Sequence, residues 1–172
     1  MSRMLCICNN RISDVDCPSE VWHYAFRKSD VDGFLAVDPN YLLKDLYMDY
    51  ELGYGFWYCN HCGRMYMYPD NYRMWKKVYS ISREFPSIPW DEIRKLSEIY
   101  VFSDVQLADP LEYDDGYPLS RFLANPPHPY RFFVSKDEST IYAYNNVKKR
   151  LAFTYKVEII TSDEEVAQSY LG

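Results

Sequence analysis

The amino-acid sequence predicts an α+β protein, mainly an antiparallel sheet with two principal helices and a zinc-ribbon-like cysteine hairpin. Three observations support this class: β-favouring runs bounded by turn residues, two segments with helical spacing, and a C-x-x-C-G turn between aromatic runs. A chain of 172 residues can bury one hydrophobic core, so we expect a single domain over 1–172. Its zinc-ribbon-like part covers 1–85, and its helix and C-terminal three-stranded meander cover 86–172.

The N-terminal part begins with a predicted strand, VWHYAFR (21–27), which is rich in β-favouring residues. A helix is predicted over 39–52, because Asp38 can cap it, Pro39 suits its first position and Gly53 can end it. The runs GFWYC and RMYMY are then predicted to flank the cysteine turn as a hairpin. A further strand is predicted in YRMWKKVYSI.

The C-terminal part starts with a second predicted helix, around residues 89–98. Residues 103–117 are predicted to be an irregular acidic segment, followed by a short helix in YPLSRFLAN that begins at Pro118. Short turns separate the runs YRFFVS, TIYAY and RLAFTYKVEII. These runs therefore predict a three-stranded meander from Tyr130 to Ile159.

The most specific motif in the chain is the turn YCNHCGRMY, which carries Cys59 and Cys62. Structural zinc sites need four tetrahedral ligands, and tight turns supply them in pairs. The partner pair is Cys6 and Cys8 in LCICNN. There Asn9 stands where glycine is common, and asparagine also tolerates a positive φ. We therefore predict a structural Zn²⁺ ion bound by Cys6, Cys8, Cys59 and Cys62.

Other roles for these cysteines stay open at this point. A redox dithiol is one, although redox C-x-x-C motifs lie at a helix start beside a βαβ unit, whereas aromatic runs flank this turn. Buried structural thiols are another. His61 lies inside the turn and is expected to face solvent. The alternative is that His61 binds the metal in place of one of the cysteines. Cys17 has no partner in the sequence and is expected to be a simple buried or surface thiol.

Composition restricts the protein's surroundings and partners. No stretch reaches the ~18 apolar residues that span a membrane, and the N-terminal apolar run is too short for a secretory signal. An odd number of cysteines also argues against a secreted disulfide framework. We expect a cytoplasmic protein with reduced thiols and no membrane contact. The net charge of −6 disfavours duplex binding, which depends on Lys and Arg, so no nucleic-acid partner is expected.

The sequence contains no recognisable catalytic motif. It has no G-x-S-x-G elbow and no glycine-rich phosphate loop. His23 alternates with aromatic residues along a predicted strand, and His128 lies among prolines, so both are expected to pack rather than react. Asp14 and Asp16 are expected to lie in a solvated turn, with a cation site as the alternative. A four-thiolate zinc site also has no open coordination position. We therefore expect a protein that is not an enzyme.

The acidic segment is the candidate partner-binding surface. It contains several carboxylates and no lysine or arginine, and a tyrosine lies among them. A solvated loop is the simplest interpretation, but mixed carboxylates and tyrosines also attract basic proteins, because complementary charge speeds association. The predicted contact residues are Asp104, Asp109, Glu112, Tyr113, Asp114 and Asp115. An alternative acidic patch lies on the first predicted helix and comprises Asp45, Asp49 and Glu51.

Three stretches of the chain resemble a group of small bacterial zinc-ribbon proteins with a C-x-C-G…C-x-x-C-G pattern. They are residues 4–34, the cysteine hairpin at 56–68 and the closing strands at 130–155. The sequence departs from the pattern at Asn9, which replaces a glycine. These proteins are often found beside polymorphic or contact-dependent toxins and look like immunity proteins. The resemblance therefore implies a protein that neutralises a cognate bacterial toxin by binding it.

Two function classes follow from the sequence. The first is a protein-binding immunity protein. The second is a zinc-ribbon module that contacts nucleic acid or a transcription or replication complex. The second class needs a basic surface, and the sequence offers only Lys76–Lys77 and Lys148–Arg150 as clusters. The overall acidic charge therefore favours the first class.

Overall fold

The described part of the protein contains ten strands and five helices, and none of these helices is longer than ten residues. The structure, a computed structural model, describes residues 3–13, 19–48, 53–68, 77–82, 87–114 and 116–160. Its described elements, in chain order, are β1 (Arg3–Leu5), β2 (Arg11–Ser13), β3 (Trp22–Arg27), α1 (Lys28–Val37), α2 (Leu43–Met48), β4 (Gly53–Tyr58), β5 (Met65–Tyr68), β6 (Lys77–Ser82), α3 (Trp90–Ile93), β7 (Ser97–Ser103), α4 (Asp104–Tyr113), α5 (Leu119–Ala124), β8 (Tyr130–Val134), β9 (Thr140–Asn145) and β10 (Arg150–Ile160).

Eight strands close into an antiparallel barrel. Strands β3 to β6 form one four-stranded meander, and β7 to β10 form a second. The two meanders join where β3 pairs with β7 and where β6 pairs with β10, so the order around the barrel is β3-β4-β5-β6-β10-β9-β8-β7. Closure leaves no free strand edge in the barrel, which removes a surface prone to aggregation.

Alternate residues of the barrel strands point inward. In β4, for example, Tyr54, Phe56 and Tyr58 pack in the barrel interior, whereas Trp57 packs on the outer face. This pattern follows from the two-residue repeat of a strand. The buried interior residues are Ala25, Phe56, Met65, Met67, Tyr79, Ile99, Phe132, Ile141, Ala143 and Tyr155.

Helices cover the barrel where the two meanders join at β3 and β7. Helices α1 and α4 contact both strands, and α2 contacts α4 and α5. The apolar residues buried beneath them are Tyr24, Phe26, Val31, Leu43, Leu46, Phe102, Leu107, Leu119 and Phe122. No helix in the described ranges is both long enough and apolar enough to traverse a bilayer.

A small separate sheet, β1 paired with β2, lies against the outer face of β4, β5 and β6. Ile12 of β2 and Cys6 of the β1–β2 turn are buried and pack with Trp57, Tyr66 and Val78 from the barrel. This contact brings the first cysteine pair to the turn between β4 and β5.

Much of the predicted architecture is confirmed. The sheet is antiparallel, the cysteine turn joins a β-hairpin, and β8, β9 and β10 form the predicted C-terminal meander. The predicted strand at 21–27 is β3, and the predicted short helix after Pro118 is α5. The prediction did not include barrel closure, because closure depends on strand pairs far apart in sequence.

The helix predicted over 39–52 is wrong in its extent. The chain instead forms α1 before Pro39 and α2 after it, and residues 49–52 lie outside the described ranges. Asp38 ends α1, since its backbone N–H donates to the carbonyl of Phe34. Its carboxylate accepts the N–H of Asn40 in a turn. Asp38 therefore acts at the end of one helix rather than at the start of another.

The second predicted helix and the acidic segment after it also need correction. The helix predicted around 89–98 is only the single turn α3, and β7 begins at Ser97. Within β7, Ile99 and Val101 face the barrel interior while Phe102 faces the helices. The apolar residues of this segment therefore follow the two-residue repeat of a strand and not the spacing of a helix. Most of the segment predicted to be irregular is helix α4. A capping box between Ser103 and Gln106 begins this helix.

Candidate metal centre

Four cysteine sulfur atoms lie together between the β1–β2 turn and the β4–β5 turn. The Sγ atoms of Cys6, Cys8, Cys59 and Cys62 all lie within 4.8 Å of one another. The Sγ–Sγ distances are 3.3 Å for Cys6–Cys8, 3.5 Å for Cys6–Cys62 and 3.7 Å for Cys8–Cys59. Four sulfurs at ~2.3 Å from a central ion form a tetrahedron with edges of ~3.8 Å. The observed spacing therefore fits one tetrahedral metal ion.

The two turns present their sulfurs through similar backbone geometry. In the first turn, the N–H of Asn9 donates to the carbonyl of Cys6 at 2.8 Å; in the second, the N–H of Gly63 donates to the carbonyl of Cys59 at 2.8 Å. Asn9 has φ 65° and Gly63 has φ 73°, and each directly follows the second cysteine of its pair. Asparagine and glycine adopt this left-handed conformation most readily. Asn9 therefore takes the conformation expected of the glycine it replaces.

Tyr66 lies directly beside the sulfur cluster. Its hydroxyl donates to the Sγ atom of Cys6 at 3.0 Å and accepts the N–H of Ile7 at 2.9 Å. Burial and the bond to Cys6 raise the pKa of Tyr66, so its hydroxyl stays protonated as a donor. The side-chain amide of Asn10 also approaches the Sγ atom of Cys59, at 3.7 Å. Donors of this kind orient and stabilise metal-bound thiolates.

The thiols have unequal pKa values. Burial raises the pKa of the Cys6 thiol to about 12. Burial also acts to raise the pKa of Cys62, but hydrogen bonds from the backbone and side chain of Arg64 and from the neighbouring thiols lower it to about 6. Arg64 is itself held by Glu158 on β10 through bonds of 2.7 Å and 2.9 Å. A bound cation would replace the remaining thiol protons.

The other histidine and cysteine predictions have separate outcomes. His61 is exposed in the second turn, as expected, and the four-sulfur group contains no histidine. The Nε2 atom of His128 lies 2.8 Å from the carbonyl of Val101, and its Nδ1 atom accepts the N–H of Tyr130 at 3.3 Å, so its ring packs with both nitrogens bonded. His23 packs beside Tyr58. Three further predicted positions lie outside the described ranges: Asp14, Asp16 and Cys17.

The predicted partner-binding residues are not all on the surface. Asp104 is only 5% exposed, and its carboxylate accepts the backbone N–H of Ser19 at 2.6 Å and the hydroxyl of Tyr24 at 3.4 Å. Its assignment to a partner-binding surface is therefore corrected: this carboxylate forms hydrogen bonds inside the fold. In the first turn of α4, Asp104 and Leu107 are buried and the helix contacts β3 and β7, whereas a solvated loop was the simplest interpretation of the sequence.

The remaining residues of the acidic surface lie near the C-terminal end of α4. Asp109 and Asp114 are exposed, and Tyr113 is 82% exposed. The side chain of Glu112 and the whole of Asp115 lie outside the described part of the chain. Of the alternative patch, Asp45 is exposed on α2, and the other two positions, Asp49 and Glu51, are likewise outside the description.

Sequence reasoning did not identify Tyr66 or Arg64 as neighbours of the cysteines. The chain has 18 tyrosines, and no local feature distinguishes the one that bonds to a sulfur. The alternation of side chains along β5 is enough to place Tyr66 on an outer face of the sheet. Its hydroxyl meets Cys6 only because the β1–β2 sheet packs against that face.

The fold and this site define a class: a closed, eight-stranded antiparallel barrel with an outer four-cysteine cluster close enough to hold a metal ion. A family model described as Domain of unknown function (DUF8617) matches residues 2–164, and the chain belongs to this family. No curated protein and no solved structure matches the chain.

Proposed function

We propose that the four-cysteine cluster holds a structural Zn²⁺ ion. Four thiolates in tetrahedral spacing are typical ligands of zinc or of iron. A closed set of four ligands leaves no position for water or substrate, so the ion stabilises the fold. It attaches the β1–β2 sheet to the β4–β5 turn. Free thiols of this kind also suit a reducing compartment such as the cytoplasm.

Elemental analysis of the protein purified without added metal tests the zinc assignment. We expect about one zinc per chain, and a large loss of zinc in the variant Cys59→Ser/Cys62→Ser. Cys17→Ser is the matched control, since the proposal assigns the ion to four other cysteines, and it should keep its zinc. If elemental analysis instead finds about one iron per chain, the structural ion is iron and not zinc. A metal-free protein with a melting temperature that is unaffected by chelator would contradict any structural metal.

We further propose that the protein is a non-enzymatic binding protein of the immunity type, which neutralises a cognate bacterial toxin. The observation that carries this proposal is Tyr113, a large aromatic side chain that is 82% exposed at the end of α4. Exposed Asp109 lies one helical turn before it, and exposed Asp114 follows it. We call these three residues the α4 acidic end.

The α4 acidic end has the composition of a binding surface for a basic protein. Tyrosine is enriched among residues that dominate binding energies at interfaces, because it buries a large ring and keeps a hydroxyl for hydrogen bonding. Carboxylates around it raise the association rate with a basic partner. The basic substrate cleft of a nuclease toxin has the complementary charge. The resemblance of the chain to immunity proteins supports the same function.

The alternative, a module that contacts nucleic acid, has less support. Lys77 forms an ion pair with Glu138 at 2.7 Å, so this part of the first basic cluster is neutralised; Lys76 lies outside the described ranges. The second cluster, Lys148–Arg150, is exposed at the β9–β10 turn. Three cations at one turn against a net charge of −6 make a small basic surface.

Co-expression with the product of the adjacent upstream gene tests the immunity proposal. We expect that product to be toxic alone, harmless with this protein, and tightly bound to it in calorimetry. Tyr113→Ala should weaken binding by roughly 30-fold, as for other central aromatic contacts. Asp109→Lys/Asp114→Lys should slow association and flatten its dependence on salt.

The matched control is Asp91→Lys, which reverses an exposed carboxylate on α3 and should leave binding unchanged. A non-toxic gene product, or two proteins that do not associate, would contradict the immunity proposal. Salt-sensitive binding to DNA that is lost in Lys148→Gln/Lys149→Gln would instead support the alternative.

A further inference from the structure

The barrel contains internal space at one end. A cavity of about 340 Å³ opens where β3, β5 and β8 end and where β4 and β7 begin. A second cavity, of about 170 Å³, lies toward the other end, and Phe56 and Ile141 line both. These two side chains therefore form the layer between the cavities. We call the larger one the barrel cavity.

The barrel cavity is too large to be an ordinary packing defect. Protein interiors pack at the density of organic crystals and contain few voids larger than one water molecule. Pockets that bind small molecules have volumes of ~300–1,000 Å³. Eight-stranded barrels can either fill their interior with side chains or hold one small ligand. The cavity volume places this barrel with those that can hold a ligand.

The inner walls of the cavity are apolar and aromatic. Phe56 and Tyr79 meet edge to face with ring centroids 6.4 Å apart, and Met67 and Ile141 complete this region. The hydroxyl of Tyr79 is already bonded to the carbonyl of Glu138 at 2.9 Å. Aromatic rings and a flexible methionine favour a flat apolar body that can pack against ring edges and sulfur.

The rim of the cavity is polar and carries positive charge. Arg27 and Lys136 are both exposed there, and the guanidinium of Arg27 is positioned by its 2.7 Å bond to the hydroxyl of Tyr54. Glu138 also lines the rim, but Lys77 pairs with its carboxylate at 2.7 Å. Within the described part of the chain, neither Arg27 nor Lys136 has a carboxylate partner. Two cations are therefore available to an anionic group at the rim.

We propose that the barrel cavity binds a small organic acid, with an apolar, preferably aromatic, body in the barrel and its anionic group at Arg27 and Lys136. The division between apolar walls and a cationic rim sets this orientation. A guanidinium that is already held by Tyr54 loses little freedom when it binds an anion. This site lies apart from both the cysteine cluster and the α4 acidic end, and it does not depend on the function proposed for them.

Two fluorescent probes that share one ring system and differ by a single sulfonate group test the proposal on the full chain. The first is 1-anilinonaphthalene-8-sulfonate, an aromatic body with one sulfonate. The second is N-phenyl-1-naphthylamine, the same ring system without it. We expect both to bind, with the anionic probe tighter. Arg27→Gln and Lys136→Gln should each weaken the anionic probe by roughly tenfold, as for the loss of a charged hydrogen bond, and leave the neutral probe unchanged.

Two further variants test whether the probes bind inside the barrel. Ala25→Leu adds bulk to a buried residue that lines the cavity, and Val134→Phe narrows the cavity nearer its mouth. We expect each to reduce the binding of both probes at least tenfold while the melting temperature stays close to that of the wild type. Two variants at different depths keep the test valid if one of them fails to fold.

The matched control is Lys148→Gln, which removes an exposed cation at the opposite end of β9 and should change neither affinity. Three results would overturn the proposal. The first is that neither probe binds. The second is that probe binding is unaffected in folded cavity-filling variants. The third is that Lys148→Gln weakens the anionic probe as much as the rim variants do, since binding would then reflect surface charge alone.

Discussion

The variant Tyr66→Phe tests the role of the hydroxyl beside the cysteine cluster. The ring of Tyr66 is only 1% exposed and packs on the outer face of the barrel, so phenylalanine keeps the packing. What is lost is one oxygen atom with two bonds, one to the Sγ atom of Cys6 at 3.0 Å and one from the N–H of Ile7 at 2.9 Å.

The magnitude follows from these two bonds. A hydrogen bond to a charged acceptor contributes about 1.5–3 kcal/mol to stability. The N–H of Ile7 adds little to this cost, because Ile7 is about half exposed and water can reach it. We therefore expect the metal-bound protein to lose about 2–3 kcal/mol. Zinc affinity should fall by ~10–100-fold, as for other residues that bond to metal ligands.

Competition with a chromophoric chelator measures the zinc affinity, and urea unfolding of the metal-bound protein measures stability. The matched control is Tyr79→Phe, because Tyr79 is equally buried and its hydroxyl bonds to the backbone carbonyl of Glu138 and approaches the thioether of Met67, but bonds to no cysteine sulfur of the cluster. This control should lose about 1 kcal/mol of stability with no change in zinc affinity. A folded Tyr66→Phe with wild-type zinc affinity would refute the reasoning.

Three further predictions concern the barrel and its helices. Asp104→Asn weakens the bond from the Ser19 amide to a buried carboxylate, so urea unfolding should show a loss of about 1–3 kcal/mol. Gly55→Ala places a methyl group against the indole of Trp22, and thermal unfolding should show a loss of about 1–3 kcal/mol. Burial, and less strongly the charge of a nearby histidine, lowers the pKa of His23. The unfolded chain therefore binds the additional proton first, and stability should fall as pH drops below ~6.5, the usual pKa of histidine. Urea midpoints at pH 7.5 and 5.5 should differ less in His23→Gln than in the wild type.

The cysteine cluster was predictable because its signals are local. Each pair lies on a tight turn, and each turn has a residue that tolerates positive φ directly after its second cysteine. Asn9 is an example: asparagine tolerates a positive φ, so the sequence alone allows Asn9 to take the place of a glycine in this turn. The hairpin and the C-terminal meander were predictable for the same reason, since their strands are neighbours in sequence and short turns join them.

The errors occurred where a local pattern fits two structures. Around residues 89–98 the apolar spacing is compatible with a helix. In the structure the chain from Ser97 onward instead forms β7, which pairs with β3 and β8 in the barrel. Asp38 can cap a helix or end one, and the packing of α1 on β3 and β7 selects the second role. Asp104 appeared to belong to a charged surface, and only the docking of α4 against the barrel buries it.

By itself, the sequence determined the antiparallel class, the cysteine pairs and the hairpins that carry them, because each depends on residues close together in the chain. Only the tertiary structure decided that two meanders close into one barrel, that Tyr66 bonds to Cys6, and that an apolar cavity ends at Arg27 and Lys136. These features require contacts between distant segments. Local propensity and spacing contain no information about which distant segments meet.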